Sequence, residues 1–357
     1  MLTPLIFLII LGILVLVHEF GHFIVAKLFK VKVEEFAFGF PPTIWSKTKG
    51  ETKYMINLIP FGGYVKLLGE DGTNQDDPRS FVSKSHFAKA AIIVAGITMN
   101  LILGGLFLGL AFMIGLPTIN SDYQKEYPYA QVSTNIVAYE INKESDFSEK
   151  IIPGDKIMDI NGQSVNSVEQ FKSIIQNYKD QAINLQIKRN QDLFVVSGHP
   201  IFSETNQAYQ VGVVLTEEQT IKYPFYLAIP MGFVEMFKLL KSMIVALYEI
   251  IRDLITVHQV PVAIAGPVGI YKIAATASEM GLVYLIQLTS LLSINLALIN
   301  ILPIPALDGG RLLFIVLEKI RGKKISANLE NIVHTAGFVV IIGIILLVTI
   351  SDIKNLF

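Results

Sequence analysis

Four long apolar segments constrain what this chain can fold into. They cover about residues 2–29, 90–117, 282–307 and 336–350. A helix needs about 20 predominantly apolar residues to cross the hydrocarbon core of a bilayer, and each segment has or approaches that length. Charged residues make up only 17% of the chain, below the share of about a quarter that is usual in soluble proteins. The sequence therefore predicts a polytopic α-helical membrane protein with four transmembrane helices.

A fifth apolar segment, residues 224–251, differs from the other four because charged residues interrupt it at near-helical spacing. These residues are Glu235, Lys238, Lys241 and Glu249. The pattern favours an amphipathic helix that lies on the membrane surface, with a fifth span as the alternative.

The distribution of Lys and Arg predicts how the four spans are oriented. Basic residues cluster in two short connections, residues 30–89 and residues 308–335, whereas the N-terminal tip has none and the C-terminal tail has only Lys354. Cytoplasmic loops carry an excess of Lys and Arg. We therefore expect both connections in the cytoplasm, and both termini and residues 118–223 on the other side of the membrane.

The composition also excludes several classes of function. The chain has 29 basic and 30 acidic residues, a formal net charge of −1, so it lacks the polybasic character of a nucleic-acid-binding protein. It has no Cys, which excludes disulfides, iron–sulfur clusters and thiolate zinc sites. Any metal ion must be held by His, by carboxylate or by backbone oxygen.

Residues 118–223 have the alternating pattern of a small α/β domain. The predicted elements are strands at 132–139, 156–160, 183–189 and 193–197, a helix at 168–178, and a turn at Asn161-Gly162. The run from Ile152 to Gly162 resembles the core of a PDZ domain, a module that takes an extended peptide as an additional strand. A spacer domain without a ligand is the alternative.

The strongest chemical signal is the motif His18-Glu19-Phe20-Gly21-His22. Residues four apart lie on one helical face, so His18 and His22 can present two nitrogen atoms to one zinc ion, with Glu19 beside them as a general base. Each ionisable residue in the middle of a membrane helix costs about 2.5–3.5 kcal/mol, which argues for a functional role. Alternatively, the helix ends near Leu16 and these residues are interfacial.

A catalytic zinc ion usually has three protein ligands. Asp308 is the best third candidate, because the predicted topology brings it to the depth of His18 and His22, and Pro and Gly residues around it break the helix where backbone must line a cavity. A capping role for Asp308 is the alternative. The remaining histidines are interpreted as surface or interfacial residues: His86, His199, His258 and His334.

Taken together, these features resemble the site-2 protease family of intramembrane zinc metalloproteases, and in particular its bacterial branch typified by the regulator of sigma-E protease. The resemblance covers nearly the whole chain. It rests on the His18–His22 motif, the PDZ-like insert, the run from Asn300 to Gly310, and on Gly39-Phe40, Tyr54–Lys66, Gly96–Asn100 and Gly266–Ile270.

The resemblance implies roles for individual residues. His18, His22 and Asp308 would bind Zn²⁺ and Glu19 would be the catalytic base. Substrate contacts would come from Asn300, Pro303 and a membrane-associated β-hairpin in the segment from Tyr54 to Lys66, with Tyr54, Ile56, Gly62 and Gly63 as the substrate-binding residues. Two features depart from the family: Gly39-Phe40-Pro41-Pro42 replaces the common Gly-Phe-Gly-Pro, and there is one PDZ-like domain where many relatives have two.

The predicted organisation has three parts. Residues 1–117 form the first part of the membrane domain, with a cytoplasmic β-hairpin segment at about 30–70. Residues 118–223 form one inserted extracytoplasmic α/β PDZ-like domain, and residues 224–357 form the second part of the membrane domain. The expected location is the bacterial inner membrane, with the active site towards the cytoplasmic side.

The predicted function is zinc-dependent cleavage of transmembrane segments in single-pass membrane proteins. The resemblance implies anti-sigma factors or remnant signal peptides, already trimmed by a site-1-type protease, as substrates, and membrane lipid as surroundings. No nucleic-acid partner is expected. The alternatives are a metal-ion or proton-coupled transporter that uses the same His, Glu and Asp residues, and a membrane scaffold without catalytic activity.

Overall fold

The computed structural model describes residues 3–118, 127–142, 145–179, 181–189, 192–204, 207–256, 266–323 and 325–354. The chain divides into two compact units. The first comprises Met1–Phe107, Phe233–Lys272 and Thr289–Phe357, and the second comprises Leu108–Gly232 and Ile273–Leu288. The domain boundaries expected at residues 118 and 223 remain a prediction.

Nineteen helices and strands are described. The helices are α1 (Thr3–Leu28), α2 (His86–Ile114), α3 (Val168–Tyr178), α4 (Phe225–Thr256), α5 (Pro267–Met280), α6 (Leu282–Ile301), α7 (Asp308–Arg321) and α8 (Ala327–Lys354). The strands are β1 (Val33–Lys49), β2 (Thr52–Leu67), β3 (Leu116–Thr118), β4 (Gln131–Ile141), β5 (Lys156–Ile160), β6 (Gln163–Ser164), β7 (Ile183–Arg189), β8 (Asp192–Gly198), β9 (Ile201–Ser203), β10 (Ala208–Gln210) and β11 (Val213–Lys222).

Four of the described helices, α1, α2, α6 and α8, are long and apolar enough to cross a membrane, which confirms the four predicted candidates. Their ends differ from the apolar segments. The third span ends at Ile301 and not at residue 307, because Pro303 and Pro305 cannot continue the helix. Helix α8 begins nine residues before residue 336. Its first turns are polar, so they were not part of the apolar segment. Helix α4 extends five residues past residue 251 and is not among the candidate spans.

Helices α1 and α2 touch at a pair of glycines in the first unit. A Cβ atom added to Gly21 would lie 2.5 Å from the carbonyl oxygen of Ala95 and 2.9 Å from Cα of Gly96. Small residues let membrane helices approach closely and gain van der Waals contact, since apolar burial between helices gains nothing over lipid. The approach brings the face of α1 that carries both histidines of the motif against α2.

Strands β1 and β2 form an antiparallel sheet in the first unit, and its register is more elaborate than that of a simple hairpin. Residues 33–38 of β1 pair on one side with residues 63–67 of β2 and on the other with residues 53–56. Residues 43–49 of β1 then pair with residues 52–57. Both strands therefore bend, and the cis Pro41-Pro42 peptide lies within the bend of β1.

The second unit contains a sheet with the strand order β3-β11-β4-β5-β7-β8, and β6 pairs with β5. Alternate residues of β7, namely Ile183, Leu185 and Ile187, are buried against Phe171 of α3 and its neighbours. The predicted strands at 132–139, 156–160, 183–189 and 193–197 and the predicted helix are confirmed, with changes of at most two residues at their ends.

Two polar contacts stabilise the second unit. The Arg189 guanidinium donates two hydrogen bonds, of 2.8 and 2.7 Å, to the buried Asp155 carboxylate, which also accepts from the amide of Ile152. At the start of α6, the Tyr284 hydroxyl donates to Glu218 of β11 at 2.5 Å. Burial raises the pKa of Glu218 despite this hydrogen bond. The inserted sheet is thereby joined to the first turn of α6.

Candidate metal centre

Two histidines of α1 and the first residue of α7 converge on one point. His18 Nε2 lies 3.0 Å and His22 Nε2 lies 3.4 Å from Asp308 Oδ2, and the two Nε2 atoms are 3.2 Å apart. Spacing of four residues on α1 brings the two imidazoles together. Asp308 reaches them because α6 ends at Ile301 and the chain turns back through residues 302–307.

The three ligand atoms have the spacing of a zinc site. Zinc bonds to His nitrogen and carboxylate oxygen are about 2.0–2.2 Å long, so two ligand atoms of a tetrahedral site lie about 3.3 Å apart. Among the described residues, Asp308 Oδ2 is buried without a hydrogen-bond partner. Two imidazoles and one carboxylate are also a donor set that zinc accepts. The residues therefore fit a zinc ion with three protein ligands.

The ring orientation of His22 supports the same conclusion. Its Nδ1 atom lies 2.9 Å from the carbonyl oxygen of Ile92, which can only accept a hydrogen bond. In the neutral ring, Nδ1 therefore carries the hydrogen and Nε2 carries a lone pair, which points at the lone pairs of Asp308 Oδ2. These lone pairs repel each other unless a cation or a proton lies between the two atoms.

Glu19 lies beside the three converging residues and not among them. It lines a cavity of about 510 Å³ together with His18, His22 and Asp308. The cavity also reaches Gly63 at the outer strand of the β1–β2 sheet. The Glu19 carboxylate, the cluster of His18, His22 and Asp308, and a strand edge thus share one cavity in the first unit.

The residues expected to contact substrate lie in different environments. The side-chain nitrogen of Asn300 is 3.4 Å from His18 Nε2. Gly63 lines the cavity, whereas Tyr54 and Ile56 belong to an inner strand that is paired on both sides. The two further positions are Gly62, which packs against the ring of Phe40, and Pro303, which is exposed in the turn between α6 and α7.

Asp308 is not the cap of α7, and two of the other histidines lie beside carboxylates. Leu307, and not Asp308, is the N-cap residue of α7. His86 lies near Glu318, and His199 pairs with Asp146. His258 lies outside the described residues.

His334 of α8, which was expected at a surface or interface, is half-buried and has a hydrogen-bond partner. Its Nδ1 atom accepts a hydrogen bond of 2.9 Å from the amide of Ala306, two residues before Asp308. Its ring lines the cavity. No local pattern in the sequence signals this contact, because it depends on how α8 packs beside the turn that precedes α7.

Sequence reasoning also missed an ion pair at the cavity. The Glu70 carboxylate accepts a hydrogen bond of 3.2 Å from the amide of Leu67 through Oε2, and Arg311 of α7 donates to its Oε1. Arg311 follows Asp308 by one helical turn, so one carboxylate joins the end of β2 to the helix that carries Asp308. Opposite charges in two short connecting segments are too common to predict such a pair.

Comparison with known proteins identifies the family. The sequence profile of Peptidase family M50 matches residues 6–344, which is nearly the whole chain. The chain belongs to Peptidase family M50. This is the site-2 protease family, so the protein is a zinc-dependent metalloendopeptidase with membrane helices, and the transporter alternative is not favoured.

Several bacterial relatives match along at least 95% of their length. A Clostridium perfringens protein, described provisionally as a zinc metalloprotease, is 36% identical over 95% of both chains. The zinc metalloprotease RasP of Oceanobacillus iheyensis is 30% identical over 100% of both chains. The regulator of sigma-W protease RasP of Bacillus subtilis is 28% identical over 99% of both chains.

Among solved structures, the PDZ domain of an SdrC-like protein from Listeria monocytogenes is similar to part of this chain. The similarity covers 23% of this chain and 86% of that domain, with 15% identity and a TM-score of 0.22. A score this low supports no conclusion about the inserted domain.

The contact at Gly96 yields a test of the metal centre. A Cβ atom added there would overlap the His22 ring and lie 2.9 Å from Cε1 of His18. We expect Gly96→Ala to displace both rings and to lower zinc affinity, as measured by competition with a chelator on the purified protein. Gly343→Ala is the matched control, since a Cβ at Gly343 of α8 meets nothing within 4 Å. Equal zinc affinities in the two variants would contradict this account of the packing.

Proposed function

We propose that His18, His22 and Asp308 hold the catalytic zinc ion and that Glu19 is the general base. The observation that carries this proposal is the convergence of three ligand atoms within 3.4 Å of one another, with Oδ2 of Asp308 lacking any hydrogen bond from the described residues. When bound, zinc supplies a Lewis acid that lowers the pKa of a water molecule to about 7.

Glu19 has the position that a base requires. It lines the same cavity as the three ligands but is not one of them, so its carboxylate is available to take a proton from the attacking water. The same carboxylate would then hold that proton for the amine that leaves when the peptide bond breaks. His18 and His22 orient the site, because their rings are held between α2 and Asp308.

Replacing the base without removing a ligand separates these roles. We expect Glu19→Gln to retain zinc and to lower the cleavage rate of a tagged single-span substrate by about 10²–10⁴-fold, the usual contribution of a general base. Glu279→Gln, at an exposed position of α5, is the control and should cleave normally. Zinc content and cleavage are measured on the same preparations. Cleavage that survives Glu19→Gln would show that Glu19 is not the general base, and a purified protein without zinc would contradict the proposed metal site.

The outer strand of the β1–β2 sheet is proposed to hold the substrate. A helical peptide bond is shielded by its own hydrogen bonds, so a transmembrane substrate must become extended before it can be cleaved. Residues 63–66 pair on one side with residues 35–38 and have no strand partner on the other side within the described part of the chain. Gly63 and Tyr64 at this edge also line the cavity that contains Glu19. A substrate strand added there would gain backbone hydrogen bonds beside the catalytic groups.

Disulfide cross-linking tests the position of the substrate strand. Because the chain has no Cys, a single introduced thiol reports one position only. In the Glu19→Gln background, we expect Tyr64→Cys to cross-link to a cysteine near the cleaved bond of the substrate. Ser46→Cys, exposed in the second half of β1, is the control and should not cross-link. Equal yields at the two positions would rule out the proposed edge.

The proposed substrates are single-pass membrane proteins that another protease has already trimmed, such as anti-sigma factors or remnant signal peptides. The proposal for the inserted domain is that it excludes untrimmed proteins by size or binds the new C-terminus. Its strand β11 pairs with β4 along its length but with β3 only at residues 219–221, which leaves one side of residues 213–218 open among the described strands. Such an edge can accept an extended peptide.

The selectivity for trimmed substrates can be measured directly. We expect the full-length protein to cleave a trimmed substrate faster than the same substrate with its folded extracytoplasmic domain. A variant lacking residues 120–215 should lose this difference while it still cleaves the trimmed form. If that variant still spares the untrimmed substrate, the inserted domain is not the filter.

The proposed location is the inner membrane of a bacterium, with the active site near the cytoplasmic side and the inserted domain on the opposite side. The excess of Lys and Arg in residues 30–89 and 308–335 supports this orientation.

A further inference from the structure

Three residues of α2 follow one another at intervals of four along the face that meets the two histidines. The carbonyl oxygen of Ile92 lies 2.9 Å from His22 Nδ1, and the side-chain nitrogen of Asn100 lies 3.3 Å from His18 Nδ1. Between them, Gly96 leaves room for both rings. Each histidine thus has its Nδ1 atom against α2 and its Nε2 atom against Asp308.

A metal-binding imidazole must be held in one tautomer. When Nε2 binds a metal ion, the neutral ring carries its hydrogen on Nδ1, and that N–H needs an acceptor. The carbonyl oxygen of Ile92 meets this need for His22, because a carbonyl can only accept. His18 needs an acceptor in the same way, and Asn100 is the α2 residue that contacts its Nδ1 atom.

Asn100 has an acceptor to offer. Its side chain is completely buried, and its Oδ1 atom has no hydrogen-bond partner among the described residues. The two ends of a side-chain amide have the same shape, so a half-turn about the last bond exchanges Oδ1 and Nδ2. After this exchange Oδ1 faces the Nδ1–H group of His18. A single rotation therefore gives the buried oxygen a partner and His18 the acceptor that it needs.

We propose that Asn100 is a positioning residue for the metal centre. It accepts the Nδ1–H hydrogen bond of His18 through Oδ1 and so keeps the Nε2 lone pair of His18 directed towards Asp308. This inference rests on the proposed ligand set of His18, His22 and Asp308 and extends it to the residue behind one ligand. The amide is neutral, which suits a position within a membrane helix, where a carboxylate would be costly.

The backbone around Asn100 is held by α6. Ser293 Oγ donates a hydrogen bond of 2.7 Å to the carbonyl oxygen of Asn100, and Ser290 Oγ donates one of 2.7 Å to Gly104. Both serines are completely buried. These bonds use backbone oxygens, so a change of the Asn100 side chain removes the contact with His18 and leaves the contact between α2 and α6 in place.

The test compares an isosteric variant that lacks an acceptor with one that keeps it. We measure zinc affinity of the full-length protein in detergent by chelator competition, and the visible absorption of the Co²⁺-substituted protein. Partners that orient a metal ligand typically contribute about 10–100-fold in metal affinity, so we expect a loss of that size in Asn100→Leu. Asn100→Asp, which retains an acceptor, should bind zinc at least as tightly as the unmodified protein, with the Co²⁺ spectrum unchanged.

Two controls separate the possible failures. Asn295→Leu makes the same change at an exposed position of α6 and should leave zinc affinity unaltered. Asp308→Ala removes a proposed ligand. If Asp308→Ala keeps full zinc affinity, the proposed ligand set fails; if Asp308→Ala loses zinc but Asn100→Leu does not, only the role of Asn100 fails.

The variant Asn100→Asp shows whether the side chain at position 100 acts on His18 as an acceptor or as a donor. It also provides a test if Asn100→Leu does not fold. If Asn100→Asp weakens zinc binding about as much as Asp308→Ala does, Asn100 does not act through an acceptor oxygen and the proposal is overturned. Thermal unfolding of the zinc-free proteins shows whether any loss of affinity reflects a destabilised fold, which would also overturn it.

Discussion

The metal centre depends on how closely α1 and α2 approach each other. Polar atoms in the hydrocarbon region must find partners inside the protein, because lipid offers none. The two imidazoles meet that requirement only where α2 has no side chain in the way, opposite Gly21 and at Gly96. One larger residue at either position would separate the rings from the carbonyl and amide groups of α2. The close packing of small residues is thus a condition for the two imidazoles to reach their positions.

Several polar contacts between helices of the first unit determine where Asp308 lies. Ser290 and Ser293 bind backbone oxygens of α2 and bring α6 against it. The same α6 ends at Ile301, and the turn that follows leads to Asp308. His334 then bonds to this turn at Ala306. The position of Asp308 is therefore determined by contacts that involve α2, α6 and α8, which are distant in the sequence.

Local geometry explains which parts could be predicted from the sequence. The pairing of His18 with His22 follows from the period of one helix. The strands between residues 156 and 189 follow from an alternating pattern of apolar residues. Both could be predicted because the pattern involves only residues that are close in the sequence. Asp308 needed the predicted topology as well, since its partners are almost 300 residues away. The end of the third span at Ile301 was misjudged because hydropathy continues through Leu307, whereas proline ends the helix earlier. The contacts of His334 and Glu70, and the double register of β1 and β2, depend on tertiary packing and leave no local signal.

The carboxylate of Glu70 has a consequence for how a cleavage site would be chosen. One oxygen accepts a hydrogen bond from the end of β2 and the other accepts one from Arg311, so this carboxylate links the strand edge to the helix that carries Asp308. Backbone hydrogen bonds along an edge do not depend on which side chains the added strand carries. For a substrate strand paired at residues 63–66, the number of residues between that edge and Asp308 would determine which peptide bond lies at Asp308. Under the proposed mode of substrate binding, the distance along the backbone from this edge would determine the cleaved bond, so substrates with unrelated sequences would be cut at equivalent positions.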